Sequence, residues 1–340
     1  MSVKPIFEKK NILITGGAGF IGSHLCDELL KTCKVICLDN FISGSEQNID
    51  HLLQNPDFEF VRHDINQPVD LEALPELEKF RIKFQGLQEV YHLACPTAPK
   101  GFEGKIVETA LANSVGVKNA LDLAVKYQAK FIFASSSVVY GARQNKEMHF
   151  KEVDLGLVDQ LSRRASYDEG KRFGETMVST YQQAYGLDAK IARIFRTYGS
   201  RMMLEQGHML PDFVFSALDD KDLVVYGDKG FASSFCHVSD LVQGLIKLMA
   251  SAESGPINLG SDIDCKIIDV AQKIIALAGS KSKIIFAAEQ LFMTPLVLPD
   301  ITAAKEKLGW FPVTLLDDGL QETIDYFKAH KSIIKPGTNL

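Results

Sequence analysis

Nowhere does the 340-residue chain hold the run of about 18 consecutive apolar side chains that a helix needs to cross a bilayer, so no membrane partner is expected. Positive charge is also short. The 37 Lys and Arg against 43 Asp and Glu give a formal net charge of −6, so no global field draws the chain to nucleic acid. Local basic residues must carry any phosphate binding. Cys-x-x-Cys pairs and Cys/His clusters with metal-ligand spacing are missing too, and no metal site is expected. The six cysteines, Cys26, Cys33, Cys37, Cys95, Cys236 and Cys265, lie in or beside apolar runs and read as reduced core thiols. Residues 1–11 mix Lys4, Lys9 and Lys10 with Glu8 and lack the apolar stretch of a signal peptide. A soluble, cytoplasmic protein is the expectation.

What is present is ordinary for a globular chain. With 46% hydrophobic and 24% charged residues, disordered, collagen-like and coiled-coil classes are excluded. Short aliphatic runs at 11–15, 34–38, 58–61, 89–93, 130–134 and 189–193 alternate with amphipathic stretches such as 21–31 and 106–127. That alternation predicts an α/β chain with a Rossmann-type doubly wound parallel sheet. After Phe195 the pattern turns irregular, with helix candidates at 210–218, 239–249, 268–278 and 319–329. We expect residues 1–195 to form a dinucleotide-binding domain and 196–330 a smaller substrate-binding lobe. The runs 235–237 and 256–258 are candidates to return to the sheet, and 331–340 reads as a loose tail.

Directly after the first run comes Thr15-Gly16-Gly17-Ala18-Gly19-Phe20-Ile21-Gly22, then helical sequence. Gly16, Gly19 and Gly22 stand at the spacing of a dinucleotide fingerprint: a tight turn, a close backbone approach to a pyrophosphate, and a helix packed on a strand. The helix N-terminus offers free N–H groups to phosphate. Leu38-Asp39-Asn40 places an acid about 20 residues further on, where it bonds ribose hydroxyls and repels a 2′-phosphate, favouring NAD over NADP. His63-Asp64-Ile65 ends the third run, where a side chain meets the adenine.

Tyr167 and Lys171 stand four residues apart, on one face of a predicted helix. A phenol with an ordinary pKa of about 10 is a weak base, but a neighbouring ammonium favours its phenolate, which then takes a hydroxyl proton. The run 130–134 continues as Ser135-Ser136-Ser137-Val138-Val139-Tyr140-Gly141, a hydroxyl-rich strand end on the ligand-binding edge of such sheets.

Together, the Gly-rich loop, Asp39, the Ser-Ser-Ser-Val-Val-Tyr-Gly strand end and Tyr-Asp-Glu-Gly-Lys-Arg at 167–172 resemble the extended short-chain dehydrogenase/reductase family of NAD-dependent sugar-nucleotide epimerases, dehydratases and decarboxylases. The resemblance runs over about residues 10–330 and is strongest to the UDP-glucuronate decarboxylase branch through 193–195, 199–202 and 237–241. It implies a catalytic Ser136, a Tyr167 base and a Lys171 partner. It implies NAD contacts from Gly16, Gly19, Phe20, Ile21, Gly22, Asp39, Asn40, Phe41, Ser43, Gly44, Asp64, Ile65, Leu93, Ala94, Asn113, Tyr167 and Lys171, with His92 a strand histidine. It also implies a UDP-sugar substrate oxidised transiently at C4, and a homodimer built on the helices at 106–127 and 167–185.

Four positions depart from the decarboxylase pattern. Val138 stands where that pattern has Glu, Ser233 where it has an Arg associated with substrate, Arg196 in place of Asn, and His208 in place of Arg. Arg196, Arg201, His208 and Ser233 are the candidate substrate contacts. Oxidation at C4 of a uronic acid makes a β-keto acid that loses carbon dioxide without a dedicated base, whereas a 4-epimerase needs only Ser136, Tyr167 and Lys171. Decarboxylation, 4-epimerisation and a catalytically silent NAD-binding protein all remain open at this level.

Overall fold

In the computed structural model, which describes residues 9–97, 102–142, 149–204, 207–226, 232–287 and 298–331, the short aliphatic runs form one seven-stranded sheet. Its strands are β1 (Asn11–Thr15), β2 (Lys34–Asp39), β3 (Phe58–Arg62), β4 (Glu89–His92), β5 (Lys130–Ser136), β6 (Ala189–Ile194) and β7 (Pro256–Leu259). All pair in parallel, in the order 3-2-1-4-5-6-7. The order reverses beside β1, and the crevice outside the strand ends there is where such sheets bind ligands. This is the Rossmann-type doubly wound sheet that the alternating pattern predicts.

Both faces of the sheet are covered, which is why its strands read as unbroken apolar runs. Ile12 and Ile14 face a core built with the helices Phe20–Leu30 and Val238–Ala250, whereas Leu13 faces the opposite core with the helix Val117–Tyr127. A third core lies apart from these, among the helices Met209–Leu218, Ile267–Ala278 and Leu316–His330. Of the two candidate returns, Pro256–Leu259 joins the sheet beside β6. Cys236–His237 instead pairs with Thr197–Tyr198 in a separate ribbon.

The helix expected as one piece over 106–127 is interrupted. Ile106–Leu111 and Val117–Tyr127 are joined by a wider π-turn at Ala112–Gly116. Within that turn the Asn113 amide donates to Thr109 O (2.9 Å) and to the Cys95 thiol (3.1 Å), a bridge to the loop after β4. The helix Ala165–Tyr185 crosses β5 at close range because residue 174 is glycine: a Cβ there would lie 2.4 Å from the Phe133 ring. The expected tail beyond Lys331 and residues 1–8 lie outside the described residues. Among the described residues no helix is long and apolar enough to cross a membrane.

Candidate active site

A single cavity of about 1480 Å³ runs along the carboxyl edge of the sheet. That exceeds the roughly 300–1,000 Å³ of a site for one small ligand and leaves room for a dinucleotide beside a second molecule. One end is the glycine turn. Gly22 has no space for a side chain, since a Cβ would come within 2.1 Å of Gly16 O, so the first turn of the helix Phe20–Leu30 sits directly on the loop. The unpaired N–H groups of that turn and the positive end of its dipole face the cavity. Asp39 at the end of β2 is buried, and its two oxygens accept the Ala18 N–H (3.0 Å) and the Phe41 N–H (2.8 Å). Burial raises its pKa against these amides. Each carboxylate oxygen keeps a lone pair for a further donor.

Most positions expected to touch a dinucleotide line this cavity: Gly16, Gly19, Phe20, Ile21, Gly22, Asp39, Asn40, Phe41, Ser43, Gly44, Asp64, Ile65, Leu93 and Ala94. Asn113 does not. It is buried and donates to the Cys95 thiol, and Cys95 lines the cavity in its place. His92 is a strand histidine, bonded through Nδ1 to the Thr15 hydroxyl at 2.7 Å, and burial pushes its pKa down to about 3.

At the middle of the cavity Ser136, Tyr167 and Lys171 come together. Ser136 ends β5, while Tyr167 and Lys171 project one turn apart from the helix Ala165–Tyr185. The Lys171 ammonium is buried, donates to Ala134 O at 2.8 Å and lies 5.8 Å from the centre of the Tyr167 ring. Burial lowers its pKa, with Cys95 and Glu175 acting the other way. Burial also raises the pKa of the Tyr167 phenol, and Cys95 adds to that; the Ser136 hydroxyl, by hydrogen bonding, and the Arg164 charge pull it back. Two cations thus flank the phenol, the Arg164 guanidinium and the Lys171 ammonium, each 5.8 Å from the ring centre, and Arg164 was not among the expected residues. Arg164 stands three residues before Tyr167, so helical spacing alone could have flagged it.

The substrate candidates separate. Arg196 and His208 line the far half of the cavity. Arg201 does not: its Nη2 donates to Asp27 at 2.7 Å, on the helix Phe20–Leu30. Ser233 is buried away from the cavity, its hydroxyl donating to Ser234 O at 3.3 Å. Val138, two residues after Ser136, lines the cavity, so the decarboxylase Glu position presents no carboxylate here.

Residues 12–260 match the NAD dependent epimerase/dehydratase family. The chain is 39% identical over 322 residues to UDP-glucuronic acid decarboxylase 1 of Danio rerio, covering 94% of this chain and 73% of that protein. It belongs to that family. It is also 37% identical over 322 residues to UDP-glucuronic acid decarboxylase 1 of Arabidopsis thaliana, covering 94% of this chain and 70% of the other. Among solved structures it is similar to the UDP-glucuronic acid 4-epimerase of Bacillus cereus in complex with UDP-glucuronic acid and NAD, with TM-score 0.81, 26% identity, and coverage of 94% and 99% of the two chains. It is equally similar to the UDP-glucose 4-epimerase of Thermotoga maritima with UDP-glucose, with TM-score 0.82, 26% identity and coverage of 94% and 99%.

This is therefore an enzyme of an NAD-dependent family, and its residues fit that cofactor. The close contact at Gly22 leaves the helix N-terminus bare for a pyrophosphate. Asp39 offers carboxylate lone pairs where ribose hydroxyls are read. Sequence reading passed over Arg164 and Cys95, both in the cavity wall, and Glu175, one turn beyond Lys171 on the same helix face.

Proposed function

We propose that this chain acts on a UDP-sugar through transient oxidation at C4, and that its reaction is the decarboxylation of UDP-glucuronate. The observation that carries this reading is the convergence of Ser136, Tyr167 and Lys171 in one cavity beside the glycine turn, in a chain 39% identical to a UDP-glucuronic acid decarboxylase. The Tyr167 oxygen accepts the proton of the sugar C4 hydroxyl, and the Ser136 hydroxyl donates to the same sugar oxygen and holds it in line. Lys171, fixed by Ala134 O, supplies positive charge one helical turn away. NAD, when bound, would supply the acceptor for the C4 hydride and would return that hydride to the ketone at the end of the cycle. The C4 ketone then makes the uronic acid a β-keto acid: the C5 to carboxyl bond breaks, carbon dioxide leaves, and the electron pair passes to the ketone oxygen, which Ser136 and the protonated Tyr167 stabilise; C5 then takes a proton from water, and the ketone is reduced to the UDP-pentose as Tyr167 gives its proton back to the C4 oxygen.

A second reading, 4-epimerisation, is favoured by Val138. With valine where the decarboxylase pattern has Glu, the cavity still holds Ser136, Tyr167 and Lys171, the groups needed to oxidise C4. Incubating the protein with UDP-glucuronate separates the two. Carbon dioxide and a UDP-pentose are the expected products; UDP-galacturonate would establish the epimerase instead, and no product at all, with NAD bound, would leave a silent NAD-binding protein. On this reading residues 1–195 carry the cofactor and 196–330 mainly the sugar, and the six free thiols suit a cytoplasmic setting.

The same reading includes a homodimer. Val107, Leu111 and Val115 repeat every fourth residue along the helical segment at 106–127, and all are exposed. Phe173 is 48% exposed on the adjoining helix Ala165–Tyr185. Contiguous apolar surface of this kind marks an association face. Sedimentation is expected to give twice the chain mass, and Leu111→Glu with Phe173→Glu to give a folded monomer. A wild-type monomer at micromolar concentration would reject the proposal.

A further inference from the structure

Among the described residues Arg196 is a cation without an anion. Its Nη1 is sealed from solvent and has no acceptor among the described residues. The residue lines the cavity, with the guanidinium 5.8 Å from the centre of the Phe235 ring. Its surroundings are unfavourable to charge: burial first, then Arg164, lower its pKa to about 10, and no carboxylate among the described residues acts against them. It still carries its charge at neutral pH. The neighbouring His208, held down to about 4 by burial and by Arg196 itself, is neutral there and brings no compensation. A buried guanidinium left unpaired is costly, so a site that keeps one is built to receive an oxyanion.

The position of Arg196 says which one. Ser136 pairs with Ile194 across β5 and β6, and Arg196 follows two residues later at the same sheet edge. Arg164, whose charge acts on Arg196, also acts on the Tyr167 phenol. Arg196 therefore belongs to the reacting end of the cavity, away from the glycine turn. In a nucleotide sugar whose C4 hydroxyl faces Tyr167, the diphosphate hangs from C1, across the ring. A group carried on C5, the carbon next to C4, lies beside the reacting centre. We infer that Arg196 is the receptor for a carboxylate on C5 of the sugar, and that it selects nucleotide-linked uronic acids over neutral hexoses. The inference rests on the proposed UDP-sugar chemistry and deepens it, because either decarboxylation or epimerisation at C4 would use the same contact. A carboxylate meets a guanidinium fork through two parallel hydrogen bonds, which neither Ser nor Asn can supply.

The test compares two ligands that differ at C5 alone. Calorimetric titration of the NAD-loaded full chain with UDP-glucuronate and with UDP-glucose is expected to show a clear wild-type preference for the uronate. R196Q is expected to weaken UDP-glucuronate about ten- to a hundredfold, the loss of one charge-assisted contact, and to change UDP-glucose and UDP less than threefold. R196K, which keeps the charge, is expected to retain part of the preference; NAD content and melting temperature check the fold of both variants. An equal loss for UDP-glucuronate, UDP-glucose and UDP would place Arg196 on the diphosphate and overturn the inference while leaving the UDP-sugar reading intact. Unchanged binding of all three in R196Q would overturn it as well. A wild-type chain that takes up neither nucleotide sugar would overturn both readings together.

Discussion

Replacing Tyr167 with phenylalanine is expected to leave a folded, NAD-binding protein that turns over its nucleotide sugar about 10²–10⁴-fold more slowly, the range lost when a positioned proton-transfer group is removed. The substitution deletes one oxygen and keeps the ring between Arg164 and Lys171. It strands little. The Ser136 hydroxyl, the phenol's hydrogen-bond partner, keeps the weak contact it accepts from Val138 N–H at 3.4 Å. Burial holds the phenol protonated beyond its ordinary range, against the pull of Ser136 and Arg164. A base must be deprotonated to act, so wild-type turnover rises with pH until Lys171 gives up its charge. The residual rate of the variant loses that dependence, because phenylalanine has no proton to give up. Steady-state kinetics across pH, with NAD content and melting temperature as controls, measure both effects. Retention of full activity by the variant would remove the phenol from the chemistry.

The parts of this molecule that were legible in the sequence are those set by local rules. The strands β1 to β6 appear within a residue or two of the aliphatic runs because a parallel strand covered on both faces must be apolar throughout. The glycine turn and Asp39 were readable for the same reason: close backbone approach and a strand-end acid leave fixed spacings. What stayed hidden depends on distant partners. A three-residue run such as 235–237 does not announce which edge accepts it, and Cys236–His237 pairs with Thr197–Tyr198 instead of the main sheet. The π-turn at Ala112–Gly116 adds a fraction of a turn to an otherwise helical period, too little to see in apolar spacing. Arg196 and Arg201 stand five residues apart in irregular sequence, and only the packed structure shows that Asp27 claims one while the other faces the cavity. In the same way, Ser233 turns from the site because its strand pairs with Cys265–Lys266.

The largest loss of stability is expected from Glu175→Ala. Glu175 lies one turn beyond Lys171 and accepts from Arg193 at 2.9 Å from Nε and 2.7 Å from Nη2, with the two side chains only 13% and 12% exposed. The remaining arm of Arg193 donates to the Tyr140 hydroxyl (2.9 Å) and to Glu152 O (2.9 Å), and Ser135 donates to Glu175 at 2.6 Å. Removing the carboxylate leaves a guanidinium and a hydroxyl unpaired beside β5 and β6, a deletion that typically costs about 3–5 kcal/mol. Denaturant unfolding should show that loss in the midpoint. Removing the guanidinium as well, in Glu175→Ala with Arg193→Met, should cost less than the sum of the two single changes, because no buried charge is then stranded. A kinetic effect should accompany the structural one. Glu175 opposes the burial that lowers the pKa of Lys171, so without it the ammonium gives up its proton at a lower pH. If that charge supports turnover, the alkaline limit of activity in Glu175→Gln moves to lower pH, while Arg193→Lys, which keeps the carboxylate in place, leaves the limit where it was. A Glu175→Ala variant that unfolds within 1 kcal/mol of wild type would mean that Arg193 finds water or another acceptor, and that this pair does not hold the catalytic helix to the sheet.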